Sequence, residues 1–137
     1  MTADDIVAAA RQCVGTPFRH QGRVVGKRLD CAGVVVHVAK TNGCKHCDVI
    51  GYAETPYGDS LRENLDTQVS LVRVAGSNMM AGDIRLMRFD GEPQHLAVFT
   101  GENIIHAWSE AGKCCEHGLD TTWRRRIAGV YRFRGVT

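Results

Sequence analysis

The sequence has no long apolar run, little excess charge of one sign and few prolines. No segment approaches the roughly 18 consecutive apolar residues of a membrane-spanning helix, which excludes a membrane span. The 17 basic and 15 acidic residues give a net charge of +2, too small to indicate nucleic-acid binding by itself. With only three prolines and no repeat, low-complexity tract or linker, the sequence predicts one domain over residues 1–137.

The N-terminus lacks the basic start of a secretory signal. Residues 1–10 contain Asp4 and Asp5 but no lysine or arginine. We therefore expect the chain to be made in the host cytoplasm without a cleaved signal. If the protein works outside the cytoplasm, something other than a cleaved signal must carry it there.

The hydrophobic pattern changes from helical to β-type along the chain. Ile6, Val7 and Ala10 predict a first helix over residues 3–14, and Asp30 is a good N-cap for a second helix that ends near residue 40. A short helix is expected near residues 60–65. The predicted strands, separated by Gly, Asp or Asn turns, are 69–74, 84–89, 96–100, 103–108 and 130–133. This order favours an α+β fold in which N-terminal helices pack on a C-terminal antiparallel sheet.

Cys31 is the candidate nucleophile. If Asp30 is the N-cap, the thiol lies in the first turn of the second helix, where unpaired N–H groups and the helix dipole favour an anion. This position predicts a lowered thiol pKa. The same N–H groups can stabilise the oxyanion that forms when the thiolate attacks a carbonyl. The small residues Ala32 and Gly33 leave the sulfur accessible.

Two histidines, His95 and His106, follow on neighbouring predicted strands. If Gly101 and Glu102 form a two-residue turn, position 100 pairs with 103, 97 with 106 and 95 with 108. The imidazoles are then diagonal neighbours on one face, about 7–8 Å apart at the backbone. One ring can act as base to the thiol while the other orients it. A three-residue turn would break this arrangement.

These motifs resemble those of the NlpC-type cell-wall cysteine peptidases, and the closing segment 123–133 is similar to the branch found in phage tails and gene transfer agents. The other matching segments are Gly15-Thr16-Pro17-Phe18-Arg19, Asp30-Cys31-Ala32-Gly33, Ala81-Gly82-Asp83-Ile84, His95-Leu96-Ala97-Val98-Phe99 and Ile105-His106-Ala107. The resemblance covers about residues 6–133, apart from residues 44–57.

The resemblance implies a papain-like α+β fold and hydrolysis of peptidoglycan stem peptides, typically between D-glutamate and diaminopimelate. It assigns Cys31 as nucleophile, His95 as base and His106 as the orienting third member, without a cofactor. The phage-tail branch further implies a location in the virion tail, tail proteins as partners and opening of the cell wall during DNA delivery.

Two positions depart from the family pattern. Ala32 replaces the usual Ser, which matters little if only its backbone N–H is used. Phe18 stands where the family usually has a Tyr whose hydroxyl reaches the active site, so one substrate or oxyanion contact is lost. We expect His20, two residues further on, and Trp108, on the face of both histidines, to lie near the cleft.

Four of the six cysteines form two close pairs, Cys44 with Cys47 and Cys114 with Cys115. Together with His117 they can supply the ligands of a structural zinc. Disulfides in an oxidising compartment and free thiols are the alternatives. Neither pair matches a family motif, so no metal site is assigned.

Two other functions are compatible with the same residues. An acyltransferase or amidase would keep the three catalytic residues and change the acceptor. A structural tail component would keep the fold with a vestigial active site, an interpretation motivated by the cysteine pairs and by Phe18.

Overall fold

The N-terminal part of the chain is mostly helical and the C-terminal part mostly β-sheet in the computed structural model, which describes residues 1–137. The helices are α1 (Ala3–Arg11), α2 (Cys31–Thr41), α3 (Ser60–Asp66) and α4 (Thr121–Arg125). The strands are β1 (Arg23–Val24), β2 (Arg28–Leu29), β3 (Leu71–Val74), β4 (Ile84–Phe89), β5 (Glu92–Phe99), β6 (Asn103–Trp108), β7 (Lys113–Gly118) and β8 (Ile127–Phe133). The predicted α+β fold is confirmed. None of the helices is long and apolar enough to cross a membrane.

Six strands form one antiparallel sheet in the order β3-β8-β4-β5-β6-β7. The last strand of the chain, β8, is inserted between β3 and β4, so it joins the edge strand β3 to the rest of the sheet. Strands β1 and β2 form a separate small hairpin just before α2.

Both faces of the sheet are covered. The larger core cluster, of 19 buried residues, includes Leu96 and Val98 of β5 together with apolar residues of α1 and α2. A second cluster of four buried residues, Met87, Ala97, Ile104 and Trp123, lies on the opposite face, where α4 contributes its tryptophan. Because side chains alternate along a strand, His95 is on the same face as Ala97, which is the face covered by α4.

Four predicted boundaries are wrong. Strand β3 begins at Leu71 instead of residue 69, because residues 69 and 70 form a turn. Helix α1 ends at Arg11 instead of residue 14, because residues 12–15 form turns in which Cys13 N–H donates to the Ala10 carbonyl. Strand β5 begins at Glu92 instead of residue 96, and β8 begins at Ile127 instead of residue 130. In both strands the additional N-terminal residues pair with β4, and the register of the pairing shifts there.

Four elements were not predicted: β1, β2, β7 and α4. Strand β7 has the sequence Lys-Cys-Cys-Glu-His-Gly, which contains none of the β-branched residues that mark strands. It forms because its backbone pairs with β6 over its whole length, from Asn103 opposite Gly118 to Trp108 opposite Lys113. Tertiary pairing therefore decides its conformation.

Candidate active site

Helix α2 begins where the sequence predicts, with Asp30 as its N-cap and Cys31 as its first residue. The Oδ1 atom of Asp30 accepts a hydrogen bond from Gly33 N–H at 2.8 Å. A side chain at position 33 would collide with the Gly22 carbonyl. The first turn of α2 is therefore fixed from both sides, and so is the backbone that carries the thiol.

The Asp30 carboxylate is buried, with 4% of its surface exposed, and is fully hydrogen-bonded. Its Oδ1 atom accepts from Arg23 Nη1 at 2.8 Å, and its Oδ2 atom accepts from Gln21 N–H at 2.8 Å and from the Tyr52 hydroxyl. Arg23 also donates to the Tyr52 oxygen at 2.9 Å. Because a buried charge needs a partner, this ion pair makes the polar cap of α2 compatible with burial.

The pKa of the Cys31 thiol is raised to about 12, so the prediction of a lowered pKa is wrong. Burial of the sulfur is the larger cause, and the negative charge of Asp30 is the second. Hydrogen bonds from the backbone N–H groups of Leu96 and Ala32 act in the opposite direction without reversing the shift. Desolvation thus disfavours the charged thiolate at this position. The nucleophile depends on a base that removes its proton during attack.

The predicted hairpin register of β5 and β6 is confirmed. Val98 is opposite Ile105 and Phe99 is opposite Ile104, and Thr100 N–H donates to the Asn103 carbonyl at 2.9 Å. The turn therefore has two residues. Both imidazoles consequently lie on the same face of the sheet.

The two imidazoles are in direct contact. His95 Nε2 and His106 Nδ1 are 2.5 Å apart, and the rings meet edge to face. His95 stacks on Phe89 and His106 stacks on Trp108. The exposed fractions are 5% for His95 and zero for His106. Burial lowers the pKa of His95 well below its ordinary value and that of His106 to about 3, which favours neutral rings.

A third histidine extends this contact. His117 on β7 lies with its Nε2 atom 2.7 Å from His106 Nε2, and its Nδ1 atom is 2.9 Å from the Gly118 carbonyl oxygen. The sequence pattern indicates a role for His117 only as a possible zinc ligand. Recognising β7 would have revealed its position, since Cys115 is opposite His106 in the ladder and His117 follows two residues later on the same face.

The Gly118 carbonyl determines the tautomers of the three rings when all are neutral. A carbonyl only accepts, so His117 carries its proton on Nδ1 and accepts at Nε2. His106 must then carry its proton on Nε2 and accept at Nδ1. His95 donates from Nε2, and its Nδ1 atom is left with a free lone pair. The hydrogen-bond chain thus produces the tautomer that a general base requires.

Cys31 and His95 line one cavity of about 210 Å³. Four other residues predicted near the site, Phe18, His20, Ala32 and Trp108, line the same cavity. His106 does not line it and lies behind His95. The sulfur and the His95 ring are not hydrogen-bonded to each other, as is common for catalytic pairs before substrate binds.

Residues 44–57, the segment outside the family resemblance, form one wall of this cavity. Asp48 accepts from Arg23 Nε at 3.1 Å, and the Tyr52 carbonyl lies 3.0 Å from His20 Nε2. Gln68 holds the backbone of Cys47 through two hydrogen bonds of 2.9 and 3.0 Å. The wall also brings the Tyr52 hydroxyl to Asp30, the residue that precedes the nucleophile in the chain.

The two cysteine pairs and His117 do not come together as one set of zinc ligands. All six cysteines are free thiols: Cys114 is buried in the larger core, Cys44 lies 3.6 Å from the Met1 sulfur, and Cys47 is exposed. Cys115 instead lies beside His106 and His117, with ligand atoms within 4.8 Å of one another.

The fold of this chain is that of NlpC/P60 domains. A NlpC/P60 family protein from Bacillus cereus is 21% identical, with a TM-score of 0.72 over 97% of this chain and 40% of that one. The NlpC/p60 domain of the peptidoglycan hydrolase SagA is 20% identical, with a TM-score of 0.67 over 95% of this chain and 97% of the other. The peptidoglycan hydrolase RipB from Mycobacterium tuberculosis is 14% identical, with a TM-score of 0.67 over 98% of this chain and 65% of that one.

No protein-family model and no curated protein sequence matches this chain. The chain spans about two fifths of the length of the Bacillus cereus protein and nearly all of the SagA domain.

Proposed function

We propose that this chain is a cysteine peptidase that hydrolyses peptide bonds in the stem peptides of peptidoglycan. The observation that carries the proposal is the shared cavity of Cys31 and His95, in which His95 is held by His106 in the tautomer of a general base. Structures with the same fold include proteins described as peptidoglycan hydrolases, which supports the choice of substrate.

The first step is attack by a protonated thiol that loses its proton as it reacts. His95 Nδ1 takes the proton from Cys31 while the sulfur bonds to the carbonyl carbon of the substrate. The negative charge moves to the carbonyl oxygen, next to the N–H groups of the first turn of α2. His95 can act as the base because the hydrogen-bond chain through His106 and His117 leaves its Nδ1 atom unprotonated.

The later steps pass protons through the same His95 ring. His95 donates it to the leaving amine as the C–N bond breaks, which leaves a thioester on Cys31. A water molecule then gives a proton to His95 and attacks the thioester carbonyl. Breakage of the C–S bond releases a carboxylic acid, and the proton on His95 returns to the sulfur. His106 and His117 hold the orientation of His95 throughout.

We further propose that the bond cut is the one between D-glutamate and diaminopimelate, and that the chain acts from a phage tail or a tail-like particle. Motif resemblance supports both points, including that of segment 123–133 to the tail-associated branch.

Digestion of defined muropeptides, analysed by mass spectrometry, tests the activity and the bond. The wild-type chain should give two fragments with a new amine on diaminopimelate. The Cys31→Ala variant should give none, whereas Cys44→Ser, a cysteine outside the cavity, should behave like wild type. A conjugate instead of two free ends would indicate acyl transfer, and cleavage by Cys31→Ala would refute the mechanism.

Proteomic analysis of purified particles from the producing strain tests the location. The chain should co-purify with the tail proteins at a constant ratio. Its absence from intact particles would refute the tail role while leaving the peptidase proposal in place.

A further inference from the structure

Three metal-ligating side chains converge on the side of His106 that faces away from His95. His106 belongs to β6, and Cys115 and His117 belong to β7, where Cys115 is directly opposite His106. Their ligand atoms lie within 4.8 Å of one another. We refer to these three residues as the β6–β7 cluster. It is distinct from the zinc set considered from the sequence, which required Cys44 and Cys47.

The donor set and its surroundings suit a soft divalent ion. Two imidazoles and one thiolate are the ligands that Zn²⁺ prefers. Each ring already uses its other nitrogen: His117 Nδ1 donates to the Gly118 carbonyl, and His106 Nδ1 contacts His95. Metal-bound histidines typically have such an outer partner, which fixes the ring and directs the remaining nitrogen at the ion.

We propose that the β6–β7 cluster binds one Zn²⁺ ion and that binding switches off the peptidase. Tetrahedral coordination with Zn–N bonds of about 2.0–2.1 Å requires the two nitrogens to lie about 3.3 Å apart. The His106 and His117 Nε2 atoms are 2.7 Å apart, so a separation of the rings by about half an ångström admits the ion. Cys115 and His117 are both partly exposed, which gives the ion access, and water can take the fourth position.

Inhibition by zinc follows from the tautomers that metal binding imposes on His106 and His95. This part of the inference rests on the proposed function. When Zn²⁺ binds, the Cys115 thiol releases its proton to solvent, and His106 must offer a lone pair at Nε2. The His106 proton then resides on Nδ1 and is donated to His95 Nε2. His95, still neutral, carries its own proton on Nδ1, the nitrogen that has to accept the proton of Cys31. The ion thus removes the base without contacting it.

Binding is tested on the full chain in a Cys31→Ala background, because the Cys31 thiol and His95 form a rival site for zinc. Zn²⁺ titration by calorimetry should show one ion per chain, and Co²⁺ should give a thiolate charge-transfer band. Adding Cys115→Ser should abolish that band and weaken Zn²⁺ binding by about tenfold or more, whereas adding Cys44→Ser should change neither. An unchanged band and affinity after Cys115→Ser would overturn the site.

The switch is tested by muropeptide cleavage in the presence of Zn²⁺. Zinc should inhibit the wild-type chain, and Cys115→Ser should need about tenfold more zinc for the same fractional inhibition of its own zinc-free rate. Equal sensitivity of the two proteins would overturn the switch, since the ion would then act at Cys31. If no protein cleaves muropeptides, the proposed function fails, but the calorimetric and Co²⁺ results still decide whether the site exists.

Discussion

Acidification should destabilise the folded chain through its buried histidines. His106 is fully buried, and burial, followed by the nearby charges of His117 and Arg126, lowers its pKa from 6.5 to about 3. Below pH 6.5 the unfolded chain therefore binds a proton at His106 that the folded chain does not bind until about pH 3. The free energy of unfolding must decrease as the pH falls through this window.

The magnitude follows from the width of that window. Within this window, each pH unit of acidification lowers the free energy of unfolding by about 1.4 kcal/mol for one group. Between pH 6.5 and about pH 4.5, His106 alone should remove about 2 to 3 kcal/mol. The pKa of His95 is shifted in the same direction, so its contribution has the same sign. This loss is a large fraction of the stability of an ordinary domain.

Urea unfolding followed by circular dichroism at about pH 7.5 and about pH 4.5 measures this effect. Carboxylates also titrate in this range, so the informative quantity is the difference between variants. His106→Asn, which does not titrate, should lose about 2 to 3 kcal/mol less on acidification than the wild-type chain. His46→Gln, which removes an exposed histidine, should show the wild-type loss. Equal losses for wild type and His106→Asn would refute the reasoning.

Three further substitutions have specific expected outcomes. His117→Ala should lower kcat by on the order of tenfold with little change in KM, because it frees the ring of His106 without touching substrate. Arg132→Met should cost about 3 kcal/mol in thermal or urea unfolding, since it leaves the buried Asp83 carboxylate without the two 2.8 Å hydrogen bonds of its ion pair. Tyr52→Phe should cost about 1 kcal/mol and reduce kcat/KM, because one acceptor atom of the helix cap loses its hydroxyl donor.

Matched control variants distinguish these specific effects from a non-specific loss of activity or stability. His117→Gln should recover part of the lost kcat, since its carbonyl oxygen can accept a hydrogen bond; equal activity of the Ala and Gln variants would contradict a positioning role. Arg125→Met, at an exposed arginine, should leave stability unchanged, and a cost equal to that of Arg132→Met would contradict the ion-pair argument. A Tyr52→Phe chain with wild-type kcat/KM would show that the cap tolerates the loss.

The parts of the site that could be predicted depend on local rules. A capping residue and helical spacing place Cys31, and a two-residue turn at Gly101 and Glu102 places His95 and His106 on one face. Both are decided within a few residues of the chain, so the sequence contains the information.

The parts that could not be predicted depend on contacts between distant segments. The pKa of Cys31 is governed by burial, which no local pattern reports. His117 reaches the site only because β7 pairs with β6, although its residues do not favour a strand. The wall formed by residues 44–57 has no periodicity and is held by side chains such as Arg23 and Gln68.

The most direct test of the central claim is the value of kcat/KM on a defined stem peptide for three proteins: the wild-type chain, Cys31→Ala and His95→Ala. We expect each substitution to lower kcat/KM by at least about a thousandfold while the unfolding midpoint stays near that of wild type. Cleavage by either variant at close to the wild-type rate would contradict that claim.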